Sequence, residues 1–378
     1  MAMFLNDDQS ALQDSVRDFV SSEAPVSHLR SLRDAKDEDG YSRKLWQQFA
    51  EMGFNGLLVS EEEDGLGLGH VEAGIVLEEI GRNLTPSPFL TTSVAGVAAL
   101  NAGGKHLRDK YIPGILAGET VLGLAIEEGA KHRPDKIAMQ ASRSGNGFKL
   151  NGRKSFVLHG GSADALIVAA RTAGSAGDAE GLTLFMVDRG AAGLSAASAR
   201  LVDNGQAAAV TFDGVEVDAD AVIGEVDQGH LVLNALLQAG RTGAAAEMVG
   251  VGSGAMDMTV DYLKQRKQFG RMIGEFQALQ HRASHLYSEM EIARAAVMKA
   301  QQLLDEGNEG ADVMVSVAKA KAGRTANLAV REGVQMHGGI GMTDEYDIGF
   351  YMKRDRALSE FMGDANYHAN RVAELNGY

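Results

Sequence analysis

The stretch Ala244-Ala245-Ala246-Glu247-Met248-Val249-Gly250, continued to Tyr262-Leu263-Lys264-Gln265-Arg266-Lys267-Gln268-Phe269-Gly270, lies in and just beyond a proline-free run from 229 to 265. Alanine favours a helix, and proline is the residue that breaks one, so this run predicts one long helix. Arg266 at its end complements the helix dipole, and Gly270 opens a turn. Two further runs, 272–304 and 311–336, read as helices of similar length with short connections. Together they predict a four-helix bundle over 224–378.

Upstream of the bundle the pattern changes. Between 119 and 223, short apolar runs at 121–126, 149–150, 155–158, 166–170, 182–187 and 209–212 alternate with turn signals. Ser144-Gly145-Asn146-Gly147 and Asp213-Gly214 read as hairpin turns. This predicts a small antiparallel β domain, a barrel or sandwich. Residues 1–118 return to helical spacing, with Phe19-Val20, Leu29, Leu32, Leu45-Trp46, Phe49 and Met52 recurring every three or four positions. The chain therefore reads as α+β in three segments: a helical domain at 1–118, a β domain at 119–223 and a helical bundle at 224–378.

The 378 residues carry 36 basic and 51 acidic side chains, a formal charge of −15, which excludes a nucleic-acid-binding surface as the main function. There is no cysteine, so disulfides, thiolate nucleophiles and cysteine metal sites are excluded. A cytoplasmic location is the expectation. The first residues hold no basic segment followed by an apolar run, and no apolar stretch approaches the ~20 residues of a membrane helix. His281 and His285 stand four apart, without the glutamate and third ligand a metal site needs, so no metal is expected.

Three segments can carry chemistry. Glu247 has Gly243, Ala244, Gly250 and Val251 as helical neighbours, none of which can pair with it. It is a surface glutamate, a partner of Arg241 or a more distant arginine, or a desolvated carboxylate suited to proton abstraction. Gln335-Met336-His337-Gly338-Gly339-Ile340-Gly341 closes a long helix, and its paired glycines either stop the helix or let backbone N–H groups approach a phosphate or flavin edge. Glu360-Phe361-Met362-Gly363-Asp364 sets two carboxylates around a glycine.

Taken in order, these segments resemble the acyl-CoA dehydrogenase family over essentially the whole chain. Gly53-Phe54-Asn55-Gly56 with Gly65-Leu66-Gly67-Leu68-Gly69, Leu77-Glu78-Glu79-Ile80-Gly81-Arg82 and Lys110-Tyr111-Ile112-Pro113 fit its helical part. Asn151-Gly152-Arg153-Lys154-Ser155-Phe156-Val157 resembles its flavin-facing strand, with Phe156 and Leu158 at the cofactor. The resemblance implies FAD held between the β domain and the bundle, and an acyl-CoA substrate. It also implies an electron-transfer flavoprotein or similar acceptor, and a homo-oligomer or a heterotetramer with a paralogous subunit. Arg266, Gln268, Phe269 and Gln277 match positions reaching the cofactor across a subunit interface. Gln335, His337, Gly338 and Gly339 match the loop contacting the same group. The expected reaction is α,β-dehydrogenation to a trans-2-enoyl thioester.

The chain departs from the family pattern at several points. The commonest family base lies in a Tyr-Glu-Gly-Thr stretch, which here reads Phe361-Met362-Gly363-Asp364, so a thioether stands at the base position. A second family base position precedes the arginine that opens the bundle helix, and here Gly240 precedes Arg241. Glu247, two turns beyond Gly240, is the expected base, with Asp364 and Glu360 as the other carboxylates. The hydroxyls that usually meet the flavin are replaced at Ile126-Glu127-Glu128 and Phe156-Val157-Leu158. The main alternative is a non-catalytic subunit that completes the FAD site of a paralogue; a flavin-dependent oxygen-using enzyme is a third reading. The small residues from Gly240 to Gly254 predict a roomy acyl pocket for a branched, ring-bearing or dicarboxylic chain, if that helix lines it.

Overall fold

The computed structural model describes residues 3–178 and 180–378. Helices α1 (Asp7–Glu23), α2 (Val26–Ala35), α3 (Arg43–Glu51), α4 (His70–Arg82), α5 (Val97–Asn101) and α6 (Lys105–Leu116) come first. Eight strands follow: β1 (Leu122–Ala125), β2 (Gln140–Ser144), β3 (Gly147–Leu158), β4 (Ala165–Arg171), β5 (Leu182–Asp188), β6 (Leu194–Arg200), β7 (Gln206–Val217) and β8 (Val222–Ile223). Helix α7 (Gly229–Gln265), strands β9 (Lys267–Gln268) and β10 (Arg271–Met272), and helices α8 (Gln277–Asp305), α9 (Ala311–His337), α10 (Ile348–Glu360) and α11 (Ala365–Leu375) complete the chain. The α+β order of helices, sheet and helices is as the sequence predicts.

The chain forms two compact units: residues 1–31, 70–85 and 241–378 in one, and 32–69 and 86–240 in the other. These units cut across the three segments read along the sequence, because α4 packs on α7 and α8, and α1 packs on α4.

In the bundle unit, residues 241–255 of α7 are buried without interruption, as in a helix surrounded on all sides. Small residues make this possible. A Cβ on Gly250 would lie 1.9 Å from the Glu78 carbonyl oxygen of α4, and one on Gly81 would lie 2.1 Å from the Glu247 carbonyl. A Cβ on Gly252 would meet Met290 Sδ of α8 at 2.8 Å, and one on Gly254 the Arg82 carbonyl at 2.4 Å. These glycines are therefore filled by neighbouring backbone and side chains, and they do not open the acyl pocket expected of them. Helix α1, capped by Asn6 and Gln9, docks on α4 through the doubly hydrogen-bonded Arg17–Glu79 pair (3.1 and 2.8 Å), with Glu79 buried.

In the other unit, the eight strands form one sheet ordered β6-β7-β3-β2-β4-β5-β8, with β1 pairing β4. Its pairs are antiparallel apart from β1–β4 and a single β2–β4 pair. Ser144 pairs with Gly147, so the expected hairpin between β2 and β3 is present. Asp213-Gly214 is not a hairpin turn. It lies inside β7, where the register against β3 shifts between Leu150 and Gly152 and Gly214 takes a left-handed φ of 65°. Asp-Gly marks a left-handed backbone position, which serves a bulge as well as a turn. Strands β4 and β5 are buried along nearly their whole length, and Phe148 meets Phe185 edge-on at 5.1 Å. A π-helical segment, Leu90–Gly96, lies against β1, where Thr92 Oγ1 accepts the Leu122 N–H at 3.0 Å.

Candidate functional site

In the bundle unit α7 ends at Gln265, and the chain turns at once. Phe269 and Gly270, with φ of 54° and 79°, close a two-residue hairpin between β9 and β10. Two consecutive positive φ values are the signature of a type I′ turn. The hairpin holds Phe269 90% exposed, with Arg266, Gln268 and Gln277 also on the surface. Gln277 is the first residue of α8, so this helix begins five residues later than the apolar spacing predicts.

The end of α9 lies beside this hairpin. His337 stacks on Tyr262 at 4.5 Å between ring centroids, and Tyr346 closes the other side at 4.8 Å. Its Nδ1 is 2.7 Å from the Gly333 carbonyl, so Nδ1 carries the proton and Nε2 presents a lone pair. Burial lowers the imidazole below its ordinary value, which keeps it neutral. Nε2 is buried and has no partner among the described residues. Gln335, Gly338 and Gly339 are exposed, and a Cβ on either glycine would meet nothing within 4 Å. The Tyr262–His337 stack thus joins two segments that are distant in sequence. Together they offer an exposed guanidinium, an open glycine loop and an orphaned acceptor, a donor and acceptor set that fits a diphosphate-bearing cofactor such as FAD.

In the sheet unit, β3 carries the other two expected cofactor positions. Its register against β7 shifts between Lys154 and Val157, and Phe156 sits in the bulge with φ 51° and 58% exposed. Leu158 is half-buried. The Ser155 N–H donates to the Glu127 carbonyl at 2.7 Å, tying the bulge to the segment after β1. Beneath it, Lys154 is fully buried and donates to Glu128 Oε1 at 2.7 Å and the Ile126 carbonyl at 3.2 Å. Glu128 also accepts the Ala138 and Met139 N–H groups at 2.9 and 3.0 Å. Desolvation pushes Lys154 down to about 8 despite this partner. The two places where family hydroxyls are missing are thus locked together by a buried ion pair. A cavity of about 460 Å³ in the same unit is lined by α6 and the ends of β5 and β7, and by none of the expected cofactor residues.

The candidate bases are placed differently. Glu247 is 2% exposed, and its Oε1 accepts from Arg354 Nε at 2.8 Å and Nη2 at 2.5 Å. Two of the features open from sequence coexist, burial and pairing with a distant arginine, while Arg241 donates to the Tyr367 hydroxyl at 3.2 Å. Asp364 caps α11, its Oδ1 accepting the Asn366 and Tyr367 N–H groups at 3.0 and 2.7 Å. Glu360 is exposed and pairs with Arg356 at 2.9 Å. Between them Met362 is buried with a left-handed φ of 54°, followed by Gly363 at 103°. Arg354 has no local sequence signal, because its partner Glu247 lies far along the chain.

Models of the acyl-CoA dehydrogenase N-terminal, middle and C-terminal domains match residues 6–119, 125–215 and 227–375. The chain is 30% identical to mitochondrial isovaleryl-CoA dehydrogenase of Solanum tuberosum, over 95% of this chain and 88% of that protein. Among solved structures, it is 30% identical to a variant of the Tcur3481–Tcur3483 steroid ACAD, with a TM-score of 0.88 and 98% of each chain covered. It is 25% identical to a chain of the ChsE4–ChsE5 complex of Mycobacterium tuberculosis, with a TM-score of 0.90 and 100% of each chain covered.

Proposed function

The chain belongs to the acyl-CoA dehydrogenase family, and from that premise we propose that it dehydrogenates an acyl-CoA thioester to the trans-2-enoyl thioester with Glu247 as the base. It is an FAD-dependent oxidoreductase acting on acyl-CoA. Bound FAD would supply a hydride acceptor for the β-hydrogen. In the bundle unit, Gln335, His337, Gly338 and Gly339 are the proposed cofactor contacts, with Arg266, Gln268, Phe269 and Gln277 reaching a cofactor across a subunit interface; in the sheet unit the proposed contacts are Phe156 and Leu158. Glu247 accepts the α-proton, and Arg354 fixes the carboxylate that receives it. The carrying observation is the burial of Glu247 at 2% exposure, which removes it from competing water. An electron-transfer flavoprotein then reoxidises the enzyme. Likeness to a steroid ACAD supports a bulky acyl chain. The lack of cysteine supports a cytoplasmic location, and no described helix is long and apolar enough to cross a membrane.

The deciding experiment is anaerobic mixing of the flavoprotein with acyl-CoA. Glu247→Gln should keep its absorbance near ~450 nm yet slow bleaching by ~10²–10⁴-fold, the usual worth of a general base. Bleaching at the wild-type rate would remove Glu247 from the reaction.

One observation favours a second reading. Glu247 Oε1 is engaged by two nitrogens of Arg354, as in an ion pair that anchors α10 to α7. With Met362 at the other base position, the chain would then complete the FAD site of a paralogue, and the likeness to a chain of the ChsE4–ChsE5 complex supports that. Protein that is colourless alone and yellow only when co-expressed with a paralogue would select this reading.

A further inference from the structure

The chain carries a formal charge of −15, yet in two places exposed cations without an ion-pair partner stand close together. One is the β9–β10 hairpin of the bundle unit, with Arg266, Lys267 and Arg271. The other is in the sheet unit, in the loop from β1 to β2 and on the strand beside it. There Lys131, Arg133, Lys136 and Arg153 are all exposed, and none of their side chains forms an ion pair among the described residues.

The backbone gathers this second group. Strand β2 pairs with β3 as far as Gln140 opposite Asn151. Beyond that point the loop lies along β3 in its place. Gly152 abuts Met139, where a Cβ would lie 2.7 Å from Met139 Cγ, and the Ser155 N–H donates to the Glu127 carbonyl at 2.7 Å. Arg153 stands between these two contacts, on the stretch of strand that the loop follows. The Lys136 N–H donates to the Arg133 carbonyl at 2.9 Å, a tight turn that keeps those two cations adjacent.

The acids at hand are engaged elsewhere. Glu127 contacts His132 Nδ1 and accepts the Arg133 N–H at 3.4 Å. Glu128 is held by Lys154 and by the Ala138 and Met139 N–H groups. Asp135 is the one carboxylate left between 129 and 139. The group therefore keeps a local positive potential on an acidic chain, which an anion relieves. Guanidinium forks and ammonium groups are suited to phosphate oxygens.

An acyl-CoA dehydrogenase has two polyanions to hold. The proposed function gives the diphosphate of FAD to Arg266 and its hairpin. We infer that Lys131, Arg133, Lys136 and Arg153 form a docking surface for the other, the 3′-phosphate and diphosphate of the CoA thioester. The inference rests on the acyl-CoA reading but on neither the base nor the acyl chain.

The test is calorimetric titration of the flavin-loaded protein with two unreactive thioethers, S-octyl-CoA and S-octylpantetheine, the second lacking the phosphates and adenosine. The wild-type protein should bind the CoA compound at least about tenfold more tightly, and salt raised from roughly 50 to roughly 500 mM should shrink that ratio. The combined change Lys131→Ala, Arg133→Ala and Arg153→Ala should bring the ratio close to one, with pantetheine affinity and flavin content unchanged. All three side chains are exposed, so their removal takes away charge without opening the core. A wild-type ratio in this variant overturns the docking surface and leaves the acyl-CoA reading standing. Loss of the flavin absorbance near ~450 nm from the variant would give the cluster to the cofactor's diphosphate, and overturns the CoA assignment as well. Wild-type protein that binds neither compound overturns both the surface and the acyl-CoA reading.

Discussion

Among the described residues two lysines are buried, one in each compact unit, and they are accommodated in different ways. Lys154 in the sheet faces a carboxylate, Glu128, which is itself held by two backbone N–H groups. Lys319 in the bundle faces only carbonyl oxygens. Both are pushed below the ordinary lysine value of 10.5 by desolvation, to about 8 for Lys154 and about 7 for Lys319. An opposite full charge restores more of the lost hydration than two peptide dipoles do. The first arrangement fastens two segments of one sheet; the second shapes a turn and leaves the ammonium close to losing its proton.

Removing the carboxylate should have the largest effect. Glu128→Ala strands Lys154 and two N–H groups, and should cost about 3 kcal/mol of unfolding free energy in urea titrations. The added change Lys154→Met should recover part of it; a loss below ~1 kcal/mol would make the two lysines equivalent. Next comes the pH dependence. A lysine lowered in the folded state leaves the unfolded chain with more bound protons above the folded value. Stability should therefore rise with pH from about 7 towards 10.5 for Lys319, and from about 8 for Lys154. Lys319→Met should remove up to about 1.4 kcal/mol per pH unit of that rise between pH 7.5 and 9, below the range where the raised tyrosines Tyr41, Tyr111 and Tyr351 act. An unchanged slope would show that Lys319 is charged throughout. The smallest effect belongs to Asp355, buried, accepting from Asn327 at 3.1 Å, and raised by desolvation to about 6. Its stabilising protonated form is lost as pH rises from the unfolded value of 3.8 through 6. Asp355→Asn should thus gain ~1 kcal/mol at pH 7.5 and nothing at pH 3.8, and a loss at pH 7.5 would mean that Lys319 depends on its charge.

The long helices were legible because their signal is local: α7 and α9 end within a residue or so of the proline-free, periodic runs. The sheet was legible only where strands are apolar. Strand β6 reads Leu194-Ser195-Ala196-Ala197-Ser198-Ala199-Arg200 and is mostly exposed, so it shows no alternation. Strand β2, with Arg143 and Ser144, is silent for the same reason. Site segments marked by glycine and histidine could be read from sequence, since turns and helix ends demand those residues. Partners could not. Nothing near Glu247 points to Arg354, nothing near Lys319 points to the carbonyls of Leu358 and Gly363, and a lysine in a strand reads as solvent-facing until Glu128 is seen opposite it.

The glycine seam between α4 and α7 also bears on the order in which the protein can be made. Gly81 and Gly250 each abut the backbone of the opposite helix, yet the whole β sheet is encoded between them. As the chain leaves the ribosome, the unit comprising 32–69 and 86–240 has all its sequence available once residue 240 has emerged. Helices α1 and α4 emerge early but have no α7 to receive them. Their apolar faces must wait through the synthesis of the entire sheet, which makes α1 and α4, rather than the C-terminal helices, the segments most in need of protection during translation.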